Sequence, residues 1–250
     1  MKKILILLFF GAVLFSQCSK NDITDIINNP NTENNKAVGA SANDILSTSK
    51  YPSMNIEILY MPGYMPNAAA TNQMLDFLNT YINKPDGIFI SLKPIPASGK
   101  ASLTLEEIKE IEQKNRTVFT TTNQIGLCLL YTDGAYSQGN VLGIAYKNTS
   151  MAVFGKTIYA NSGGLLQVSR ATLEAAIYEH ELGHLMGLVD IGSPMQTPHK
   201  DAANGAHCNN TNCLMYYKSE TTDILGILLG GTIPPLDANC RADLRANGGK

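Results

Sequence analysis

The stretch His180–Asp190, HELGHLMGLVD, restricts this chain more than any other part of it. Residues four apart on a helix are neighbours on one face, about 5–6 Å apart at Cβ. His180 and His184 can therefore share one tetrahedral zinc ion through their ring nitrogens. Glu181 stands beside the first of them, within reach of a water held at the same ion, where it can act as general base. Gly187 lies three residues past His184, where a chain leaving a helix needs positive φ at little cost. A sharp turn there can swing Asp190 back to the ion as a third ligand. The alternative makes Asp190 a turn residue and draws the third nitrogen from His199 or His207, the only other histidines. Either would need the loop PMQTPHKDAANGAHC to fold back over the site, at a cost in ordering a Gly/Asn-rich segment. That cost favours Asp190.

The segments before this motif alternate between strand and helix patterns. NIEILYM reads as a strand, and TNQMLDFLNTYI places Met74, Leu75, Leu78, Tyr81 and Ile82 on one helical stripe. GIFISLKPI returns as a strand stopped by Pro94 and Pro96. TLEEIKEIEQKN is a second helix, with Thr104 and Glu107 in capping-box positions. IGLCLLYT and VLGIAYKNTSMAVF are further apolar stretches, the second with the makings of a hairpin about KNTS. The motif helix begins near Ser169, and a last helix is expected near ANCRADLRANG. This order predicts an α+β fold, a twisted sheet with backing helices and an active-site helix. A smaller, irregular C-terminal subdomain rich in Gly, Pro and Asn follows Gly187.

The N-terminus reads MKKILILLFFGAVLFSQCSK. Two lysines precede an apolar run from Ile4 to Phe15, too short to span a bilayer as a helix, which is the layout of a secretory signal peptide. LFSQC resembles a bacterial lipoprotein box, which implies cleavage after residue 17 and a lipid on Cys18. Gln17 departs from that pattern, and cleavage elsewhere would give a secreted product. Residues 18–51 are dominated by Asn, Ser, Thr, Asp and Lys, too polar to offset the cost of ordering, and read as a flexible tether. Residues 52–250 then form the catalytic domain of an exported chain, anchored by lipid at the bacterial cell envelope. The domain is large enough to bury a core without crosslinks. The formal charge of −2 becomes −4 if a leader removes Lys2 and Lys3. A mildly acidic chain with no basic run excludes nucleic acid as a partner. A monomer is expected.

Besides Cys18 there are four cysteines, Cys128, Cys208, Cys213 and Cys240. Their even number suits a disulfide-permissive compartment, and three pairings are open. Cys208 and Cys213 are close enough to close a small loop. Cys128, in the strand-like GLCLLY, suits a buried free thiol.

The motif from His180 to Asp190 resembles that of the metzincin zinc peptidases, whose pattern usually ends in histidine. An aspartate third ligand occurs in a minority of that family, the snapalysin-like enzymes among them. The resemblance extends to CLMYY, where Met215 matches the methionine of the turn beneath the metal. Tyr217, two residues on, matches a tyrosine that several branches place near the zinc, as ligand or oxyanion partner. On the residues alone, Met215 could be plain core packing and Tyr217 a structural hydrogen-bonder. The strand order is also reminiscent of archaemetzincins, but the closely spaced cysteine set that marks those proteins is missing. The resemblance implies a zinc endopeptidase cutting proteins or peptides, with Glu181 as base. It also implies that substrate lies extended along an exposed strand edge, around Gly143 to Phe154. Two rivals remain: a surface-binding lipoprotein with no catalysis, and a zinc hydrolase acting on a non-peptide bond. The retained Glu181 speaks against the first.

Overall fold

The computed structural model describes residues 32–250. The signal peptide, Cys18 and the first part of the expected tether lie outside the described residues.

The runs of Val, Ile, Leu and Met become the strands of one five-stranded sheet. The elements in chain order are α1 (Ala42–Leu46), β1 (Ser53–Tyr60), α2 (Ala68–Tyr81), β2 (Ile88–Pro94), β3 (Ser102–Leu103), α3 (Leu105–Asn115) and β4 (Gln124–Thr132). They continue with β5 (Ala135–Tyr136), β6 (Gly143–Lys147), β7 (Ser150–Phe154), α4 (Gly155–Ala160), α5 (Arg170–Leu185), α6 (Leu225–Leu228) and α7 (Ala238–Ala246). The strand order is β2-β1-β4-β7-β6. β1 pairs in parallel with β2 and β4, and β4 with β7, while β6 returns antiparallel along β7 as the edge. β3 and β5 form a separate two-stranded parallel pair.

Helices cover both faces, so the central strands are apolar on both sides, as parallel strands usually are. Met54, Ile56 and Ile58 of β1, Leu127 and Leu129 of β4, and Met151 and Val153 of β7 join one core with residues of α2 and α5. The intervening Leu59, Cys128, Leu130, Ala152 and Phe154 face a second core with Leu103 and Ile108. Cys128 is a free thiol buried there, as its strand pattern indicated.

Local signals hold where they were read. Thr104 and Glu107 close a reciprocal capping box at the start of α3. Ser169 caps α5, its side chain accepting from the Thr172 amide. α5 is tied to the sheet through buried Glu174, which accepts from the hydroxyls of Tyr131 and Tyr178 and from the Asn67 amide.

The tether corrects in part. From Thr32 the chain is packed, not free. Asn34 is buried, its amide donating to Thr120 Oγ1, the Gly126 carbonyl and Thr149 Oγ1. Ile45, Leu46 and Tyr51 belong to the first core. A few well-placed apolar residues and one satisfied amide suffice to dock a segment whose average composition is polar.

The stretch Gly143–Phe154 is also only partly an edge. β7 is fully buried and paired on both sides, so only β6 offers an open flank.

Candidate metal centre

Residues 170–185 continue as one helix, so His180 and His184 fall on one face as their spacing demands. Their Nε2 atoms are 3.1 Å apart. His180 Nδ1 donates to the Leu214 carbonyl at 2.8 Å, which fixes its tautomer and leaves Nε2 as the electron-pair donor. Burial, with His207 nearby, pushes the His180 pKa down to about 4. Burial and the two neighbouring imidazoles likewise push His184 well down. Both rings are therefore neutral near pH 7, the state in which imidazole binds metal.

The third imidazole is His207. Its ring stacks on His180 with centroids 5.4 Å apart and meets His184 edge-on at 5.1 Å. Nδ1 donates to the Asn204 carbonyl at 2.6 Å. Nε2 faces Glu220 Oε2 at 3.5 Å; burial lowers the His207 pKa, but that carboxylate and the Asn204 carbonyl outweigh it and draw the pKa up. One donor atom from each of His180, His184, His207 and Glu220 lies within 4.8 Å of every other.

Asp190 does not join them, which corrects its expected place at the metal. Gly187 does adopt positive φ, and its amide and the Met186 amide cap the helix on the His184 and Leu182 carbonyls. Val189 and Asp190 then also take positive φ, at 56° and 71°. The tight loop that results is packed against Gly39, where a side chain would collide with the Ile191 carbonyl. Asp190 is left on the outside, 51% exposed and 3.6 Å from Lys200 Nζ. Turning back quickly was not enough; the turn had to face the other way.

Met215 lies beneath the histidine pair. A methyl group at Gly183, between the two histidines on α5, would overlap Met215 Sδ, so the motif needs glycine there for close approach. Leu214, which orients His180, belongs to the same turn. Tyr217 begins a 3-10 turn, Tyr217–Glu220, and its ring packs on Tyr216 at 4.7 Å between centroids. The residue of that turn that reaches the imidazoles is Glu220, which the sequence reading missed.

Glu181 is fully buried behind the histidines. Burial first, then the Glu220 charge, pushes its pKa well above the ordinary carboxylate range. Neither oxygen has a hydrogen-bond partner. A Cβ at Gly143 would stand 3.0 Å from Glu181 Oε1, so this carboxylate abuts the start of the edge strand β6. Buried imidazole and carboxylate atoms without partners are costly in a core. Three imidazoles beside a buried carboxylate are, however, a normal donor set for a zinc-type ion. The residues fit a metal.

A second cluster sits on the other side of the same loop. Cys208, Cys213 and Cys240 are all free and buried, so none of the three open pairings forms. Cys213 and Cys240 Sγ are 3.6 Å apart, close to the edge of about 3.8 Å expected between two thiolates on one tetrahedral zinc. His199 Nδ1 faces Cys208 Sγ at 3.4 Å and Cys240 Sγ at 4.0 Å. Its Nε2 is held by Asp243 Oδ2 at 2.7 Å, and Asp243 also accepts from the Gln196 amide. Cys213 accepts from the amides of Met215 and Asp237. Hydrogen bonds from the neighbouring thiols Cys208 and Cys240, with those amides, draw its pKa down to about 4. His199, Cys208, Asp237 and Cys240 again bring donor atoms within 4.8 Å of one another. Asp237 is already engaged as the cap of α7, accepting from the Cys240 amide. The sequence was read as lacking a closely spaced cysteine set; these thiols, spread through the chain, nevertheless meet in space.

A surface cavity of about 310 Å³ lies elsewhere, lined by Asn34, Glu112, Arg116 and Lys147 among others. Its charges satisfy each other: Glu112 pairs with Arg116 at 2.7 Å and Lys147 at 2.8 Å. It has no part in the metal chemistry.

Comparison with known proteins agrees with this geometry. In the solved structures, the chain is similar to archaemetzincin from Methanopyrus kandleri, with 15% identity and a TM-score of 0.51 over 78% of this chain and 96% of that one. It is also similar to metalloproteinase-II from Bacteroides fragilis, with 14% identity and a TM-score of 0.40 over 80% of this chain and 54% of that one. The first likeness shows a shared fold. No curated protein sequence matches the chain. A model of metallo-peptidase family M12 matches residues 70–225, which include α5, His207, Met215 and Glu220. With well over half its length matched, the chain belongs to metallo-peptidase family M12.

Proposed function

We propose that this M12 metallopeptidase is a zinc-dependent endopeptidase of the metzincin type, with His180, His184 and His207 as ligands and Glu181 as general base. The observation that carries the reading is the convergence of three imidazoles, the two on α5 neutral, beside a buried, unpartnered carboxylate. Zinc at such a site lowers the pKa of a bound water and polarises a carbonyl oxygen. Glu181 would take the proton of that water and return it to the leaving amine. The open flank of β6 receives an extended peptide by strand addition, and Gly143 brings that strand against Glu181. Tyr217 is the proposed partner of the developing oxyanion.

The thiol cluster is read as a second, structural zinc site with His199, Cys208, Cys213 and Cys240 as donors. Cys18 is read as the lipid-bearing first residue of an exported chain whose substrates are extracytoplasmic proteins. Among the described residues no helix is long and apolar enough to cross a membrane.

Metal analysis with digestion of casein or a peptide library tests the catalytic reading. Wild type should carry zinc and cut. A zinc-loaded protein that cuts nothing across broad libraries would replace the peptidase with a binding protein. Intact mass after detergent extraction tests the anchor; a mature N-terminus elsewhere, without acyl mass, removes it.

A further inference from the structure

We propose that Glu220 is a fourth, displaceable donor to the histidine centre, so that the chain's own carboxylate closes the site at rest. The inference rests on the zinc-peptidase reading and goes beyond it, because that reading needs only the three imidazoles and Glu181.

Two of the donor–donor distances match opposite edges of one tetrahedron. For a zinc-type ion with nitrogen and oxygen donors at about 2.0–2.1 Å, adjacent donors stand about 3.3 Å apart. His180 Nε2 and His184 Nε2 are 3.1 Å apart. His207 Nε2 and Glu220 Oε2 are 3.5 Å apart. No donor is common to these two pairs, and all four atoms lie within 4.8 Å of one another. Glu181, the other carboxylate of the site, is turned toward Gly143 instead. Of the two carboxylates, the one among the imidazole nitrogens is Glu220.

The backbone of Glu220 is fixed while its side chain can leave. Its carbonyl accepts from the Leu142 amide at 2.8 Å, and Thr221 bridges Val141 in antiparallel fashion. Those contacts pin the turn immediately before β6, the strand nominated for substrate. The Glu220 side chain is 29% exposed, so rotation about its own torsions suffices to move the carboxylate to solvent. A substrate carbonyl entering along β6 would compete with it for the same position. In a purely structural role Glu220 would neutralise His207 and never bind the ion.

Cobalt-substituted protein separates these roles without turnover, using acetohydroxamate as probe. His184→Ala serves as the blank, so that its spectrum subtracts any cobalt held by the thiol cluster. In Glu220→Gln the visible bands of the resting centre should shift, and acetohydroxamate should bind about tenfold tighter than to wild type. Glu220→Asp, which keeps a carboxylate on a shorter stem, should fall between them. Thermal unfolding of all three should coincide, excluding a folding defect. Unchanged bands and unchanged hydroxamate affinity in Glu220→Gln would overturn the proposal while leaving the peptidase reading intact. A wild-type spectrum identical to the His184→Ala blank would instead defeat the metal centre itself, and this inference with it.

Discussion

His207 and Cys208 are adjacent in the chain and serve different clusters. The histidine centre takes two donors from a buried helix and one from a loop. The thiol cluster takes its donors from that loop and from α7, where Cys240 sits in the first turn. The first presents three imidazole nitrogens with carboxylates beside them. The second presents three thiols and a histidine already oriented by Asp243. Three protein donors with a displaceable fourth is the form of a catalytic site, whereas four fixed sulfur and nitrogen donors is the form of a structural one. The two are mechanically linked: the Cys208 amide donates to the Met215 carbonyl, and the Leu214 carbonyl holds His180. Fixing the thiols fixes His207 and the methionine turn together.

The sharpest break between the clusters is chemical. Glu181→Gln should cut peptide hydrolysis by about 10²–10⁴-fold, the range for removing a general base. Metal content and melting temperature should stay at wild-type values, since neither Glu181 oxygen has a partner to lose. Retained hydrolysis in a metal-replete variant would remove Glu181 from the reaction.

Next comes the ligand exchange between His207 and Asp190. His207→Ala should reduce zinc from about two ions per chain to about one, the thiol cluster keeping its own. Asp190→Ala should leave both, because Asp190 is half-exposed and paired only with Lys200. If Asp190→Ala strips an ion while His207→Ala does not, the loop takes a different path in solution.

That exchange shows where the sequence could be read and where it could not. His180, Glu181 and His184 are related by helical geometry alone, so their spacing was sufficient. The sheet was equally plain, because β1, β4 and β7 are buried on both faces and keep almost unbroken apolar runs. His207 comes from far along the chain, in a loop whose Cys208 and His199 meet Cys213 and Cys240. Weighing only the entropy of the loop made Asp190 the better candidate, since those contacts within the loop were not counted. One signal was available: His207 directly precedes Cys208, and Cys213 stands two residues before Met215. Glu220 gave no such sign, as a single acid in a polar segment. Asn34 was hidden for a similar reason, its polar side chain being spent on buried partners from three distant segments.

More telling about the linkage is Cys240→Ser. Loss of a structural metal is among the few changes that cost about 4 kcal/mol or more. The variant should melt well below wild type, and well below His184→Ala, which removes an ion from a helix held by its own core. It should also bind the catalytic ion more weakly, although Cys240 touches no residue of that centre. Equal melting temperatures for Cys240→Ser and His184→Ala would erase the distinction between a structural and a catalytic cluster.

The mildest test addresses the thiol cluster from one step further out. Asp243 does not face the sulfurs; it holds His199 Nε2 at 2.7 Å and so presents Nδ1 to Cys208 and Cys240. Asp243→Asn keeps the shape of the side chain but removes the charge that strengthens the imidazole as a donor. Partners of this kind are worth about 10–100-fold in metal affinity. Competition against a chromogenic chelator should therefore show one of the two ions released that much more readily, with peptide hydrolysis nearly unchanged while that ion remains bound. The effect should be confined to the ion that Cys240→Ser also releases. If Asp243→Asn instead loosens the ion lost in His207→Ala, then His199 and Asp243 support the histidine centre, and the two clusters are one extended site.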